Sequence, residues 1–128
     1  MLDQLSLETI EAIFEALPME VSFVDADDVV RYYSKGTRRI FRRTPSVIGR
    51  KVQGCHPSKS VHVVNQILDD FRAGRRDVAA FWIDLSGRKI YIRYVPVRDR
   101  DGKYLGTLEV TQDITDIRTI EGEKRLLD

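Results

Sequence analysis

VAAFWIDLSGRKIYIRYVPVRDRDGKYLGTLEVTQDIT, residues 78–115, is the stretch on which the fold turns. Three runs rich in β-branched and aromatic residues are separated by Ser86-Gly87 and Asp101-Gly102, which predicts a three-stranded antiparallel meander. A three-residue loop over residues 100–102, with Gly102 left-handed, places Tyr94 opposite Leu108 and Ile92 opposite Val110. Ile90, Ile92, Tyr94, Tyr104, Leu108 and Val110 then share one face, and Tyr91, Val95 and Leu105 share the other. The first hairpin keeps two registers open. A two-residue loop at Ser86-Gly87 sends Phe81 and Ile83 inward, whereas a three-residue loop sends Ala80 and Trp82.

A sheet apolar on both faces needs cover on both, and the chain offers two amphipathic helices. SKSVHVVNQILDDFRAG predicts a helix over residues 58–73, with Pro57 at its start, Gly74 at its end and Val61, Val64, Ile67, Leu68 and Phe71 on one side. SLETIEAIFEALP predicts a second, capped by Ser6, striped by Leu7, Ile10, Ile13, Phe14 and Leu17, and ended by Pro18. VSFVDADDVVRYYS reads as a hairpin turning at Asp25 to Asp28, bringing the strand count to five. Short helical turns fit the irregular TRRIFRRTPSVIGRKV, and the tail DITDIRTIEGEKRLLD reads as a further helix carrying Ile117, Ile120 and Leu127. The expected class is α+β: a flanking helix at 1–18, a core at 19–115 and the start of an exiting helix at 116–128.

Bulk properties narrow the function. At 42% hydrophobic and 32% charged residues the chain is too apolar for disorder, and no run approaches the roughly 20 apolar residues of a membrane span. A net charge of +1 supplies no global attraction to nucleic acid or membrane surfaces. One cysteine forms no internal disulfide, and MLDQLSLETIE lacks a signal-peptide pattern, so the cytoplasm is the expected compartment.

The order of these elements resembles a PAS domain over residues 15 to 117. FVDADDVVRYYS resembles its opening hairpin, RRIFRRTPSVIGR its short helices, and VRDRDGKYLGTLEVTQDIT its closing hairpin with the terminal Asp-Ile-Thr. More narrowly, GRKVQGCHPSKSVHVVNQILDDF, FWIDLSGRKIYIRY and LEVTQDITDIRTIEGEKRLL are similar to the C-terminal PAS module of prokaryotic proteins that combine a domain of unknown function with a hemerythrin-like HHE segment. The resemblance implies a sensory and protein-interaction module with a small-molecule pocket between sheet and long helix. Val64, Leu68 and Phe71 would line it from the helix, and Ile90, Ile92, Tyr94, Tyr104, Leu108 and Val110 from the sheet, suiting an apolar or aromatic ligand. Asp113 and Thr115 would anchor the signalling junction. Ile10, Ile13, Phe14 and Leu17 would make the contacts of a homodimer or of a partner protein.

The rival reading is a haem- or metal-binding redox or gas sensor using Cys55, His56 or His62, which fall within eight positions. Some haem-binding PAS domains draw a ligand from the long helix, but His62 lies almost opposite its apolar side, and C-H-x5-H matches no standard zinc spacing. The basic run Lys35, Arg38, Arg39, Arg42, Arg43, Arg50 and Lys51 reads as a solvated face rather than a nucleic-acid surface, because Phe41 is its only aromatic neighbour. No G-x-S-x-G, P-loop, G-x-G-x-x-G or H-E-x-x-H motif occurs, so no enzyme and no catalytic residue is expected, and no motif demands a cofactor.

Overall fold

Turn and cap chemistry fixes the elements of the computed structural model, which describes residues 1–36 and 39–127. The Ser6 hydroxyl accepts the Thr9 N–H at 3.0 Å and starts helix α1 (Leu7–Ala16). The Asp25 carboxylate accepts the N–H groups of Asp27 and Val29, closing the turn between β1 (Glu20–Asp25) and β2 (Val30–Tyr33). Two 3₁₀ turns, Pro45–Val47 and Val52–Cys55, lead into α2 (Val61–Arg72), which Gly74 ends at φ +74°. Strands β3 (Ala79–Leu85), β4 (Arg88–Arg98) and β5 (Tyr104–Asp113) follow. Their order is β2-β1-β5-β4-β3, all antiparallel, so the last strand sits in the middle and β2 and β3 form the edges.

The β3–β4 turn uses two residues, Ser86 at φ 50° and Gly87 at φ 79°, and pairs Phe81 with Ile92 and Ile83 with Ile90. Phe81 and Ile83 therefore share the α2 side of the sheet with Ile90, Ile92 and Tyr94. Ala80 and Trp82 take the α1 side.

The β4–β5 loop has the expected three residues, with Asp99 and Lys103 hydrogen-bonded at 3.0 Å and Gly102 at φ +83°. One pair further on the register slips: Arg98 pairs with Tyr104, but Val97 pairs with Gly106, leaving Leu105 as an extra residue. From there Tyr94 faces Glu109 and Val95 faces Leu108. Leu108 and Val110 consequently lie on the α1 side, and their expected place beside Tyr94 is corrected. Tyr104, before the bulge, stays on the α2 side against Ile67, Phe71 and Ala79. Gly106 sits where β1 presses closest, at φ +154°, and a Cβ there would come within 2.6 Å of the Phe23 ring.

Two buried clusters hold α2 down: Val24, Val30, Val52 and Leu68 at one end, Ile67, Phe71 and Ala79 at the other. The expected C-terminal helix is, among the described residues, a single 3₁₀ turn, Ile117–Thr119. Its apolar stripe has nothing to bury against, with Ile117, Ile120 and Leu127 all exposed, and so short a helix is marginal without packing. Among the described residues no helix is long and apolar enough to cross a membrane.

Candidate functional site

Under α2 the sheet carries a polar strip rather than the expected apolar floor. Thr107, Glu109 and Thr111 of β5 point there, together with Ser22 and Glu20 of β1 and Tyr94 of β4. Val24, Val52, Val64, Ile67 and Leu68, with Tyr94, Thr107, Glu109 and His56, enclose a cavity of about 20 Å³, room for one water. Burial pushes the Tyr94 phenol above the ordinary tyrosine range, and the neighbouring Glu109 carboxylate adds to the effect.

The carboxylates beneath the helix are met by part of the basic run. Arg43 lies 3.8 Å from Glu109 and Arg39 3.8 Å from Glu20. Glu20 also accepts the backbone N–H groups of Ile40 and Phe41. Arg39 donates to the Ser34 carbonyl at 2.6 Å and stacks over Tyr33, and burial lowers its pKa while Glu20 opposes that shift. The expectation of a solvated face thus fails at Arg39 and Arg43, because two half-buried acids need cations. It holds at Lys35, Arg42, Arg50 and Lys51, which are exposed, and Arg38 lies outside the described residues.

Of the expected pocket residues, Val64, Leu68 and Tyr94 line the cavity. Phe71 and Tyr104 pack beside it, while Ile90 and Ile92 continue the same sheet face toward the β3–β4 turn. Leu108 and Val110 lie on the reverse face. Cys55, His56 and His62 are not brought together. Cys55 packs against the Val24–Leu68 cluster. His56 holds its Nδ1 3.0 Å from the Val52 carbonyl and presents its ring to the cavity. His62 is exposed on the far side of α2 beside Asn65 and Asp69. Among the described residues no group of three or more His, Cys, Asp or Glu side chains could hold a metal.

The reverse face is open. Between α1 and the sheet lies an apolar hollow of about 630 Å³, walled by Leu7, Ile10 and Phe14 on one side and Val21, Phe23 and Leu108 on the other. Phe14 touches Tyr32, with ring centroids 5.9 Å apart. One residue on, Glu15 accepts the Tyr32 hydroxyl at 2.8 Å and the Lys35 N–H at 3.0 Å. Ile13, Phe14 and Leu17 remain exposed.

At the chain's exit from the sheet, Asp113 accepts Arg88 Nε at 2.7 Å, the Thr115 N–H at 3.0 Å and the Thr115 hydroxyl at 2.6 Å. Thr115 Oγ1 in turn accepts the Lys89 N–H at 2.8 Å. Arg88 and Thr115 together lower the Asp113 pKa to about 2. Both residues of the expected junction therefore tie the departing chain to the start of β4.

Comparisons agree with this geometry. A PAS domain model matches residues 10–115, and the chain belongs to the PAS domain family. It is similar to a C-terminal domain from Streptococcus mutans, at 36% identity over 91% of each chain and a TM-score of 0.86. A sensory box sensor histidine kinase from Vibrio cholerae shares the fold at 14% identity and a TM-score of 0.58, over 84% of this chain and 90% of that one. VqmA of Vibrio cholerae shares it at 23% identity and a TM-score of 0.58, over 94% of this chain and 56% of that one. No curated protein of assigned function matches the chain.

Proposed function

We propose that this PAS domain is a protein-interaction module of a sensory signalling system, self-associating through α1 and passing changes in sheet packing to the chain leaving Asp113 and Thr115. The contrast between an interior cavity of about 20 Å³ and an apolar hollow of about 630 Å³ under α1 carries this reading. Contiguous exposed apolar surface rimmed by polar residues marks a contact surface rather than a place to rest in water. VqmA, which shares the fold, is described as a dimer. A soluble protein of the cytoplasm, without cofactor or catalytic activity, fits the same picture. The narrower likeness, to the C-terminal PAS module of prokaryotic proteins with a hemerythrin-like segment, would fit such a signalling role.

The test is oligomeric state. The chain should sediment as a dimer, and Phe14→Asp should leave a folded monomer. A wild type monomeric at high concentration sinks the reading.

A small ligand within the domain is the second reading, favoured by Tyr94, Glu109 and His56 converging on one interior cavity. An apolar or aromatic molecule would need the segment bearing Arg39 and Arg43 to lift, since ligand sites usually hold roughly 300 to 1,000 Å³. Native mass spectrometry of freshly purified protein, with Tyr94→Phe as control, detects such a passenger.

A further inference from the structure

We propose that the α1 side of β3 and β4 receives α1 from a second copy, and that Arg93 there takes a carboxylate of that helix, Glu8 or Glu11. This rests on the self-association proposed above and names its second surface and its charge pair. The register puts Trp82 opposite Tyr91 and Ala80 opposite Arg93, so Trp82, Tyr91 and Arg93 stand together on the sheet face shared with the hollow. Trp82 is 65% exposed. Tryptophan, tyrosine and arginine are the residue types in which binding energy concentrates at interfaces.

Arg93 is also chemically unfinished. Its guanidinium lies over the Tyr91 ring, 5.1 Å from the centroid. Nε is buried without a hydrogen-bond partner. No ion pair among the described residues involves Arg93, Glu8 or Glu11. A buried donor without an acceptor is unusual enough in a folded protein to ask what completes it.

Helix α1 offers the complement. LETIEAIFEA holds Glu8, Glu11 and Glu15 and no basic residue. Their spacing of three and four sets the acids in one ridge along the apolar stripe. Glu15 is committed to Tyr32 and Lys35, whereas Glu11 borders the hollow. Acidic apolar helix and cationic aromatic sheet belong to one chain and one side of the sheet, so a two-fold axis would form both contacts twice. That favours a second copy over an unrelated partner.

Sedimentation equilibrium on the 128-residue chain tests the pair. Arg93→Glu should weaken dimerisation about tenfold or more, as should Glu8→Lys with Glu11→Lys, and combining the three should recover most of the loss. Arg93→Met, which keeps cover over Tyr91 but binds no carboxylate, should weaken the dimer while circular dichroism stays unchanged. A dimer lost in Phe14→Asp yet indifferent to both Arg93 variants overturns the charge pair and leaves self-association standing. Weakening by Arg93→Glu with no recovery in the combination overturns α1 as the occupant. A monomeric wild type overturns both proposals.

Discussion

The sheet carries helices of similar length on its two faces, α2 of 12 residues and α1 of 10, and only α2 closes. Helix α2 buries Ile67, Leu68 and Phe71 and leaves a water-sized void, whereas α1 buries no residue of its own. Amphipathicity does not separate them, because both have a stripe. Anchoring does. The far end of α2 is clamped where Arg98 donates to the Phe71 carbonyl at 2.7 Å and Arg72 reaches Asp28 at 2.6 Å, while Val52 and Cys55 pack near its start. The clamp on α1 is at Glu15, near its C-terminal end. A helix pinned at one end leaves a wedge, and a wedge lined with Leu7, Ile10 and Phe14 is a surface to be used.

The hardest way to break this contrast is to truncate the fully buried Phe71. Phe71→Ala should cost about 3–5 kcal/mol in urea unfolding through lost burial and the cavity left behind. Leu7, at 80% exposed on α1 of the single chain, should cost less than about 0.5 kcal/mol when changed to alanine in the Phe14→Asp monomer. Comparable losses at the two positions would mean that α1 is as firmly seated as α2.

Next in size is the bulge that decides which side chains belong to which face. Gly106→Ala forces a side chain into a left-handed strand position and against Phe23 and the Val24 backbone. Backbone strain alone should cost about 1–3 kcal/mol, measurable by thermal unfolding. A neutral substitution would show that β1 can move away and that the register is softer than its pairing suggests.

That bulge also explains how far the sequence could be read. Strand number, the positions of α1 and α2 and the three-residue loop at residues 100–102 were legible, because period and turn residues are local signals, whereas the helix expected after residue 115 is only a 3₁₀ turn. Which face Leu108 takes depends on one extra residue, and the rule that apolar side chains point to the core chose the wrong side. Both faces of the sheet carry apolar side chains, so Leu108 lines the hollow under α1, with Val110 on the same face, while Thr107 and Glu109 went under α2. Gly106, a lone glycine within a strand pattern, was the available signal for a bulge. Glu109 as a site residue had no such mark. Its need for Arg43, and that of Glu20 for Arg39, arises only when distant segments meet. His56 is similar: it borders the cavity because the Val52–Cys55 turn folds it back onto the Val52 carbonyl.

The smallest expected effect concerns the two flanks, each tied to the sheet by one carboxylate. Glu15 holds α1 and Asp113 holds the departing chain. In Glu15 burial works against ionisation, and the bonds from Tyr32, Lys35 and Gly36 outweigh it to leave the pKa below normal. In Asp113 the Arg88 bond leads, Thr115 reinforces it, and the pKa falls from the usual 3.8 to about 2. An unfolded chain therefore takes up a proton at residue 113 before the folded one does. The stabilisation by Asp113 is complete above about pH 5 and drains away as pH falls toward 2. Asp113→Asn should melt below the wild type by a constant margin from about pH 5 to 7, and the margin should shrink through that acid window. A margin that persists at the lowest pH would show that geometry at the Asp-Ile-Thr corner, and not the carboxylate's charge, holds the exit. The same titration on Glu15→Gln then tells whether the looser flank is held by charge in the same way.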